Sequence, residues 1–231
     1  MPCPYRYRGG CGKIAEVLRS PAPSRPIQIK ICGLCRAEDA WLAAQLGADL
    51  LGFVMAKSPR QVTPREARRL HQGLSTPSVG VFVETDLDAV LRDAEAAGVE
   101  RVQIHGQRSA AWLRDLGQFY PVLQVLGPGE RGPASPVGEL MLDASQPGSG
   151  EPLNWSAIQQ DPPAERFWLA GGLSAEIVGR AIAELAPHLI GVDASSRLER
   201  YPGAKDPARL AQFIAAVRRE SAKLSTELST G

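Results

Sequence analysis

The chain lacks a charge excess of either sign and lacks long apolar runs. Its 231 residues include 26 Lys and Arg against 25 Asp and Glu, a formal net charge of +1. Proteins that bind nucleic acids usually carry a strongly basic surface, so this balance argues against a nucleic-acid partner. No apolar stretch approaches the roughly 18 residues of a membrane-spanning helix. We therefore expect neither a nucleic-acid partner nor a membrane.

Cysteine is also scarce, with four residues at positions 3, 11, 32 and 35. That number is too small for the disulfide framework typical of secreted proteins. No apolar segment of the signal-peptide type is found near the start. We therefore expect reduced thiols and a cytoplasmic protein.

Acidic residues are nearly missing from residues 1–26, where Glu16 stands against five Lys and Arg among several prolines. An arginine-rich, acid-poor leader is typical of a transit peptide. A flexible extension or a start placed too early would look the same. We interpret 1–26 as a flexible N-terminal extension, 27–220 as one catalytic domain, and 221–231 as a frayed C-terminal tail.

From residue 27 the chain alternates between short β-branched runs and segments with helical periodicity. Predicted strands cover 27–32, 50–55, 78–83, 101–105, 121–126, 140–143, 167–170 and 189–193. Predicted helices cover 38–46, 64–72, 87–97, 110–116, 175–185 and 207–219, and the connections after 126 and 143 are expected to be short or irregular. Eight strand-and-crossover units of about 26 residues predict an α/β fold, a single (β/α)8 TIM barrel. A doubly wound open sheet is the alternative, but it is expected to have a glycine-rich turn after its first strand.

Side-chain alternation favours the barrel. In the first strand Ile29 and Ile31 share one face, while Lys30 and Cys32 share the other. Polar residues also end later strands, as His105, Asp143 and Asp193 do. In a barrel such residues converge on one rim, where active sites of this fold lie.

Several motifs occur in a fixed order along the chain. They are IKICGL at 29–34, GFV at 52–54, KSPR at 57–60, VGVFV at 79–83, VQIHG at 102–106, LD at 142–143, LAGGL at 169–173, DASS at 193–196 and PGAKD at 202–206. In this order and spacing, across about residues 27–219, the chain resembles the phosphoribosylanthranilate isomerases of tryptophan biosynthesis. The resemblance implies an enzyme that converts N-(5-phosphoribosyl)anthranilate, an aminoaldose, to the open-chain aminoketose by an Amadori rearrangement.

The resemblance also implies two catalytic residues. Cys32 would be the general base and Asp143 the general acid. A thiol acts as a base only as thiolate, which a nearby cation such as Lys30 favours. Asp143 must hold a proton near neutral pH, which apolar surroundings such as Met141 and Leu142 would favour.

Further residues match the anionic ends of such a substrate. Arg60 is the candidate clamp for the anthranilate carboxylate, and Gln103 and His105 are predicted to line the substrate pocket. The phosphate is expected at the loops after the seventh and eighth strands, the usual phosphate site of barrels. Those loops contain Gly171, Gly172, Ser195 and Ser196. The reaction requires no cofactor and no metal, and we expect a monomer or homodimer with a small-molecule substrate.

Four positions depart from the family pattern: Cys35, Glu151, Asn154 and Arg197. Cys35 forms a C-x-x-C pair with Cys32, which suggests that oxidation could join the two and silence the base. It also supports a rival interpretation, a thiol-redox or zinc-binding protein that uses all four cysteines. Two other rivals are an isomerase or epimerase of another sugar phosphate and a non-catalytic barrel.

Overall fold

The computed structural model describes residues 26–127, 130, 137–143 and 155–229, and within them eight parallel strands close into a barrel. Each strand pairs with the next, and β8 pairs with β1. The strands are β1 Gln28–Ile31, β2 Leu50–Val54, β3 Ser78–Phe82, β4 Arg101–His105, β5 Val122–Leu126, β6 Glu139–Asp143, β7 Phe167–Ala170 and β8 Leu189–Ala194. The predicted TIM barrel is confirmed, and the open sheet is excluded because β8 closes on β1.

Helices pack outside the strands. They are α1 Ala37–Gln45, α2 Pro64–His71, α3 Leu87–Ala97, α4 Ala110–Gly117, α5 Trp155–Gln160, α6 Ala175–Leu185 and α7 Pro207–Ser229. Local signals explain their ends: the Thr63 hydroxyl and the Glu66 carboxylate form a capping box at the start of α2. The six predicted helices are confirmed in place. The short α5 lies in a connection that was expected to be irregular.

The last helix extends past Arg219, where the predicted helix ends. Helix α7 continues to Ser229. Ser221 is buried, and its hydroxyl accepts a hydrogen bond of 2.9 Å from the backbone N–H of Ile27. The helix is thus anchored beside the start of β1, a contact that the polar composition of the segment does not reveal.

The core has two layers. Outward-facing strand residues such as Ile29 and Ile31 pack against the helices, as their alternation predicted. A smaller cluster fills the barrel interior, and it consists of Leu50, Val79, Leu123, Val125, Met141, Trp168 and Ala170. Because this interior is packed with apolar side chains, the polar inward-facing residues are confined to the carboxyl-terminal mouth and the opposite rim.

A small hairpin follows β8 and was not predicted. Its strands are β9 Glu199–Tyr201 and β10 Ala204–Lys205, which pair antiparallel around a turn at Gly203 with φ of +86°. The backbone N–H of Lys205 donates to the Asp39 carboxylate on α1 at 2.9 Å. The hairpin therefore folds back onto the first unit of the barrel.

Among the helices of the described segments, none combines the length and the apolar character needed to cross a bilayer.

Close packing inside the barrel predicts that Gly191→Ala destabilises the fold. An added Cβ would lie 2.6 Å from Cζ3 of Trp168 and 2.7 Å from the backbone oxygen of Gln28. Overpacking of this kind costs about 1–3 kcal/mol, so we expect that loss in the free energy of unfolding in urea. The control is Gly179→Ala on α6, where the added methyl meets the flexible Glu220 side chain. Equal unfolding midpoints for both variants would contradict the prediction.

Candidate active site

A buried charge pair lies at the mouth of the barrel beneath Cys32. Lys30 of β1 is fully buried, and its Nζ donates to Oδ1 of Asp193 on β8 at 2.9 Å. Strand pairing places the two residues side by side, since Lys30 is the register partner of Asp193. Burial acts to lower the pKa of Lys30, but the charges and hydrogen bonds of Asp193 and Cys32 together outweigh it and raise that pKa. The surroundings of Lys30 therefore favour its ammonium form.

Cys32 follows β1 directly and is buried next to this ammonium, within hydrogen-bonding reach. Burial is the largest influence on its thiol and raises the pKa, while the Lys30 charge acts in the opposite direction. Lys30 thus supplies the predicted cation and favours the thiolate, but its effect on the pKa of Cys32 is smaller than that of burial. Desolvation dominates, and the Asp193 carboxylate adds to it by disfavouring a second negative charge.

Two glycines make room for this arrangement. A Cβ on Gly52 of β2 would lie 2.9 Å from Sγ of Cys32 and 3.0 Å from Nζ of Lys30. Gly33 has φ of +70°, and a Cβ there would lie 2.5 Å from Cδ of Arg60 and 2.8 Å from Oγ of Ser195. The thiol, the Arg60 stem and the Ser195 hydroxyl therefore converge around residues 32–33.

Gln103 and His105 face inward from β4, as predicted. Nε2 of Gln103 lies 3.0 Å from Nε2 of His105, which can accept this bond only as a neutral imidazole with its proton on Nδ1. Burial, together with the Lys30 charge, lowers the pKa of His105 against the pull of Asp143 and Asp193. Oε1 of Gln103 is buried and has no hydrogen-bond partner among the described residues. A ligand hydroxyl would satisfy it.

Asp143 ends β6 and is half-buried. It shares the inward face of β6 with Met141, which is only 1% exposed. Its charge acts on His105, as does that of Lys30. The structure thus brings Asp143, His105 and the Lys30–Asp193 pair to the same mouth of the barrel.

Arg60 lies in the loop after β2 and is already paired. Its Nε and Nη2 contact the Glu199 carboxylate at 2.8 Å and 2.7 Å. Burial acts to raise the pKa of Glu199, but hydrogen bonds from Arg60 and Lys205 outweigh it and hold that pKa below its ordinary value. Sequence reasoning missed Glu199. Its position three residues after Ser196 gives no sign of a partner 139 residues away.

The predicted phosphate residues occupy two adjoining loops, since β7 and β8 pair directly. Gly171 and Gly172 have φ of +102° and +65°, and no atom lies within 4 Å of where a Cβ on Gly172 would be. Ser195 is half-buried, whereas Ser196 is exposed. Backbone amides in such glycine turns approach anions closely. The arrangement can accept a phosphate beside the buried thiol.

Two of the four positions that depart from the family pattern, Cys35 and Arg197, lie in the described part of the chain. Arg197 is exposed. Its backbone has no positive φ, since no described residue other than glycine has one. Glu151 and Asn154 lie outside the described residues. Cys32 and Cys35 are both free thiols, and Sγ of Cys35 lies 3.2 Å from the backbone oxygen of Arg60. The Cys32–Cys35 disulfide therefore stays a hypothesis.

Zinc binding by four cysteines finds no support in the described part of the chain, where no three His, Cys, Asp or Glu residues are grouped to hold a metal. Cys3 and Cys11 lie outside the described residues.

Comparison with known proteins agrees with the site. The family model described as N-(5'-phosphoribosyl)anthranilate (PRA) isomerase matches residues 29–216. The N-(5'-phosphoribosyl)anthranilate isomerase of Deinococcus radiodurans is 47% identical over 206 residues, which are 84% of this chain and 97% of that protein. The phosphoribosyl anthranilate isomerase structure from Thermotoga maritima has a TM-score of 0.75 at 31% identity, covering 84% of this chain and 99% of its own.

A further phosphoribosyl anthranilate isomerase structure, solved in complex with reduced 1-(o-carboxyphenylamino)-1-deoxyribulose 5-phosphate, has a TM-score of 0.73 at 29% identity. It covers 84% of this chain and 99% of its own. Together with the matched length, these similarities show that the chain belongs to the N-(5'-phosphoribosyl)anthranilate isomerase family.

Proposed function

We propose that the barrel mouth isomerises N-(5'-phosphoribosyl)anthranilate to 1-(o-carboxyphenylamino)-1-deoxyribulose 5-phosphate, a step of tryptophan biosynthesis, with Cys32 as base and Asp143 as acid. The observation that carries the assignment of roles is the buried Cys32 thiol beside the Lys30 ammonium, with Asp143 at the same mouth. The reaction is an internal redox rearrangement of the sugar, so it needs no external electron acceptor.

The first step opens the ring. Asp143 donates a proton to the furanose oxygen, the bond from C1 to that oxygen breaks, and the nitrogen lone pair forms an iminium with C1. A carboxylic acid at this place suits the task because the leaving oxygen would otherwise depart as an alkoxide.

The second step moves a proton from carbon. The Cys32 thiolate removes the proton from C2, and the electrons of that C–H bond form a C1=C2 bond while the nitrogen becomes neutral. Tautomerisation of the enol protonates C1 and leaves a ketone at C2. The Lys30 ammonium supports this step because it favours the thiolate form of Cys32.

Binding roles follow from the donors that remain. The outer edge of the Arg60 guanidinium would take the anthranilate carboxylate, and the turns at Gly171–Gly172 and Ser195–Ser196 would take the phosphate. Gln103 Oε1 would accept a hydrogen bond from a ribose hydroxyl, and the His105 Nδ1–H would donate one to a ribose oxygen. These roles rest on placement and on the chemistry of the groups.

An assay with freshly made phosphoribosylanthranilate tests the function directly. We expect purified protein to accelerate the loss of anthranilate-type fluorescence in proportion to its concentration. Loss at the rate seen in buffer alone would contradict the proposal.

The proposal also covers the oligomeric state of the protein and its location in the cell. A monomer or homodimer in the cytoplasm, with no nucleic-acid partner, fits the near-zero net charge and the few cysteines. Light scattering of the purified protein distinguishes one subunit or two from larger assemblies.

A further inference from the structure

Glu199 is a buried carboxylate that none of the chemical steps above uses. Its side chain is only 3% exposed. Its two oxygens receive the Nε and Nη2 edge of Arg60, with contacts of 2.8, 3.1 and 2.7 Å. This is the side-on bidentate geometry of an arginine–carboxylate pair.

Within the described part of the chain, the pair leaves one edge of the Arg60 guanidinium free of hydrogen bonds. A guanidinium has five N–H donors in a rigid plane, and Glu199 occupies the edge formed by Nε and Nη2. The remaining edge, formed by Nη1 and Nη2, can still receive a second carboxylate in bidentate fashion. The Arg60 stem is also confined, because it passes so close to Gly33 that no Cβ would fit there. The free edge is therefore oriented before any ligand arrives.

Lys205 is the second cation on Glu199. Its side chain is fully buried, and its Nζ donates to Oε1 of Glu199 at 2.9 Å, to the Ser195 backbone oxygen at 3.2 Å and to Ser195 Oγ at 3.5 Å. An ammonium has three donors, so these acceptors use all of them. Lys205 therefore holds Ser195 in place and has no donor left for a phosphate.

Holding the Ser195 carbonyl also orients the amide that follows it. The peptide unit is planar and trans, so its C=O and N–H point in opposite directions. The Ser195 oxygen accepts from Lys205 Nζ and from the backbone N–H of Leu198. The N–H of Ser196 consequently points away from both donors, and its direction depends on the Lys205 contact.

From these contacts we propose that Glu199 and Lys205 form a positioning pair that holds the carboxylate-binding edge of Arg60 and the phosphate-binding turn at Ser195–Ser196 in one fixed relation. The pair makes the site select ligands whose two anionic groups are separated by one particular distance. That the two anionic groups are a carboxylate and a phosphate rests on the proposed function. The contacts of Glu199 and Lys205 do not depend on it.

Preorganisation gives this pair its effect. Arg60, Lys205 and Glu199 together carry a net charge of +1. The Glu199 carboxylate offsets one of the two largely buried cations, and one positive charge remains for the ligand. Fixing the guanidinium and the turn in advance removes an ordering cost from binding. A loss of either fixation would weaken ligand binding more than it slows the chemical step.

The first test compares Glu199→Gln with Glu139→Gln. Glu139 is a matched control because it also pairs with an arginine, Arg101, but at the opposite end of the barrel. For phosphoribosylanthranilate we expect Glu199→Gln to raise KM at least about tenfold, to change kcat less than about threefold and to leave the pH profile unchanged. The control should stay within about twofold in both constants. An unchanged KM, or a loss confined to kcat, overturns the proposal.

The second test measures binding and not turnover, and it remains valid if Glu199→Gln does not fold. Glu199→Asp keeps the negative charge, but its side chain is one methylene too short to hold Arg60 and Lys205 at their wild-type positions. Calorimetry with anthranilate and with inorganic phosphate as separate probes should show both affinities reduced at least about threefold, at an unchanged unfolding midpoint. Weakening of one probe alone overturns the link between the two subsites. If the variant and the wild type differ in binding as expected, yet the wild type does not convert phosphoribosylanthranilate, the proposed function fails and the positioning pair stands.

Discussion

Replacing Cys32 by alanine is expected to lower kcat by about a hundredfold to ten-thousandfold. A positioned general base contributes that much to a proton transfer, and the C2 proton of the iminium has no other base at this place in the proposed mechanism. The substitution leaves the Lys30–Asp193 ion pair intact, so the protein should still fold. KM should change little, because the thiol holds neither anionic end of the substrate. Steady-state kinetics with freshly made phosphoribosylanthranilate measure the effect.

The pH dependence gives a sharper form of this prediction. Burial raises the pKa of Cys32, and only the thiolate can act as base. The thiolate fraction of the free protein is therefore small at neutral pH and grows as the pH rises. The wild-type pH profile should accordingly contain a limb on which kcat/KM increases with pH. The limb should be absent from Cys32→Ala.

Cys35→Ser is the matched control, since its hydroxyl can replace the thiol contact to the Arg60 backbone oxygen. It should keep near-normal kcat. Near-normal turnover in Cys32→Ala would remove Cys32 from the base role. If peroxide lowers activity and the free-thiol count in wild type but not in Cys35→Ser, the disulfide hypothesis is supported. An unchanged activity and thiol count in wild type would end it.

Asp143→Asn is the second substitution expected to lower kcat by about a hundredfold or more. An amide matches the carboxyl group in shape but cannot donate the proton that releases the ring oxygen. The barrel should remain folded, because Asp143 lies at the end of β6, whereas the packed interior lies below it at Met141. Rates at saturating substrate, together with unfolding midpoints, test the prediction.

An exposed aspartate supplies the control for charge alone. Asp115 on α4 is exposed, and Asp115→Asn should leave kcat and KM within about twofold. If Asp143→Asn behaves in the same way, another group must protonate the ring oxygen. His105 is a poor substitute, because burial and the Lys30 charge lower its pKa.

Strand positions were predictable because their signal is local. In β1 the alternation of Ile29 and Ile31 with Lys30 reports directly which face packs on helices, and a barrel requires that alternation. Predicted α3 and α6 end where the structure ends them, and at α3 a positive φ at Gly98 stops the helix. Helix α7 was underestimated because its extension depends on Ser221 meeting the backbone of Ile27.

The pairing of charges at the site was not predictable in the same way. Arg60 is a plausible anion clamp by its motif, but its bond to Glu199 joins residues far apart in the chain. The same holds for Lys30 with Asp193 and for Lys205 with Ser195. Such pairs are set by which strand ends and loops adjoin at the mouth, and side-chain periodicity carries no information about that.

By itself the sequence determined that this is one (β/α)8 barrel, which residues face its mouth and to which family it belongs, because these depend on local periodicity and on ordered motifs. Only the tertiary structure decided the electrostatics. It buried Cys32 so deeply that desolvation affects the pKa of the thiol more than Lys30 does. It also paired the Nε and Nη2 edge of Arg60 with Glu199. Both outcomes depend on burial and on the distance between remote groups. The near-neutral net charge of the chain therefore coexists with a strongly patterned site, in which Lys30 pairs with Asp193 while Arg60 and Lys205 share Glu199.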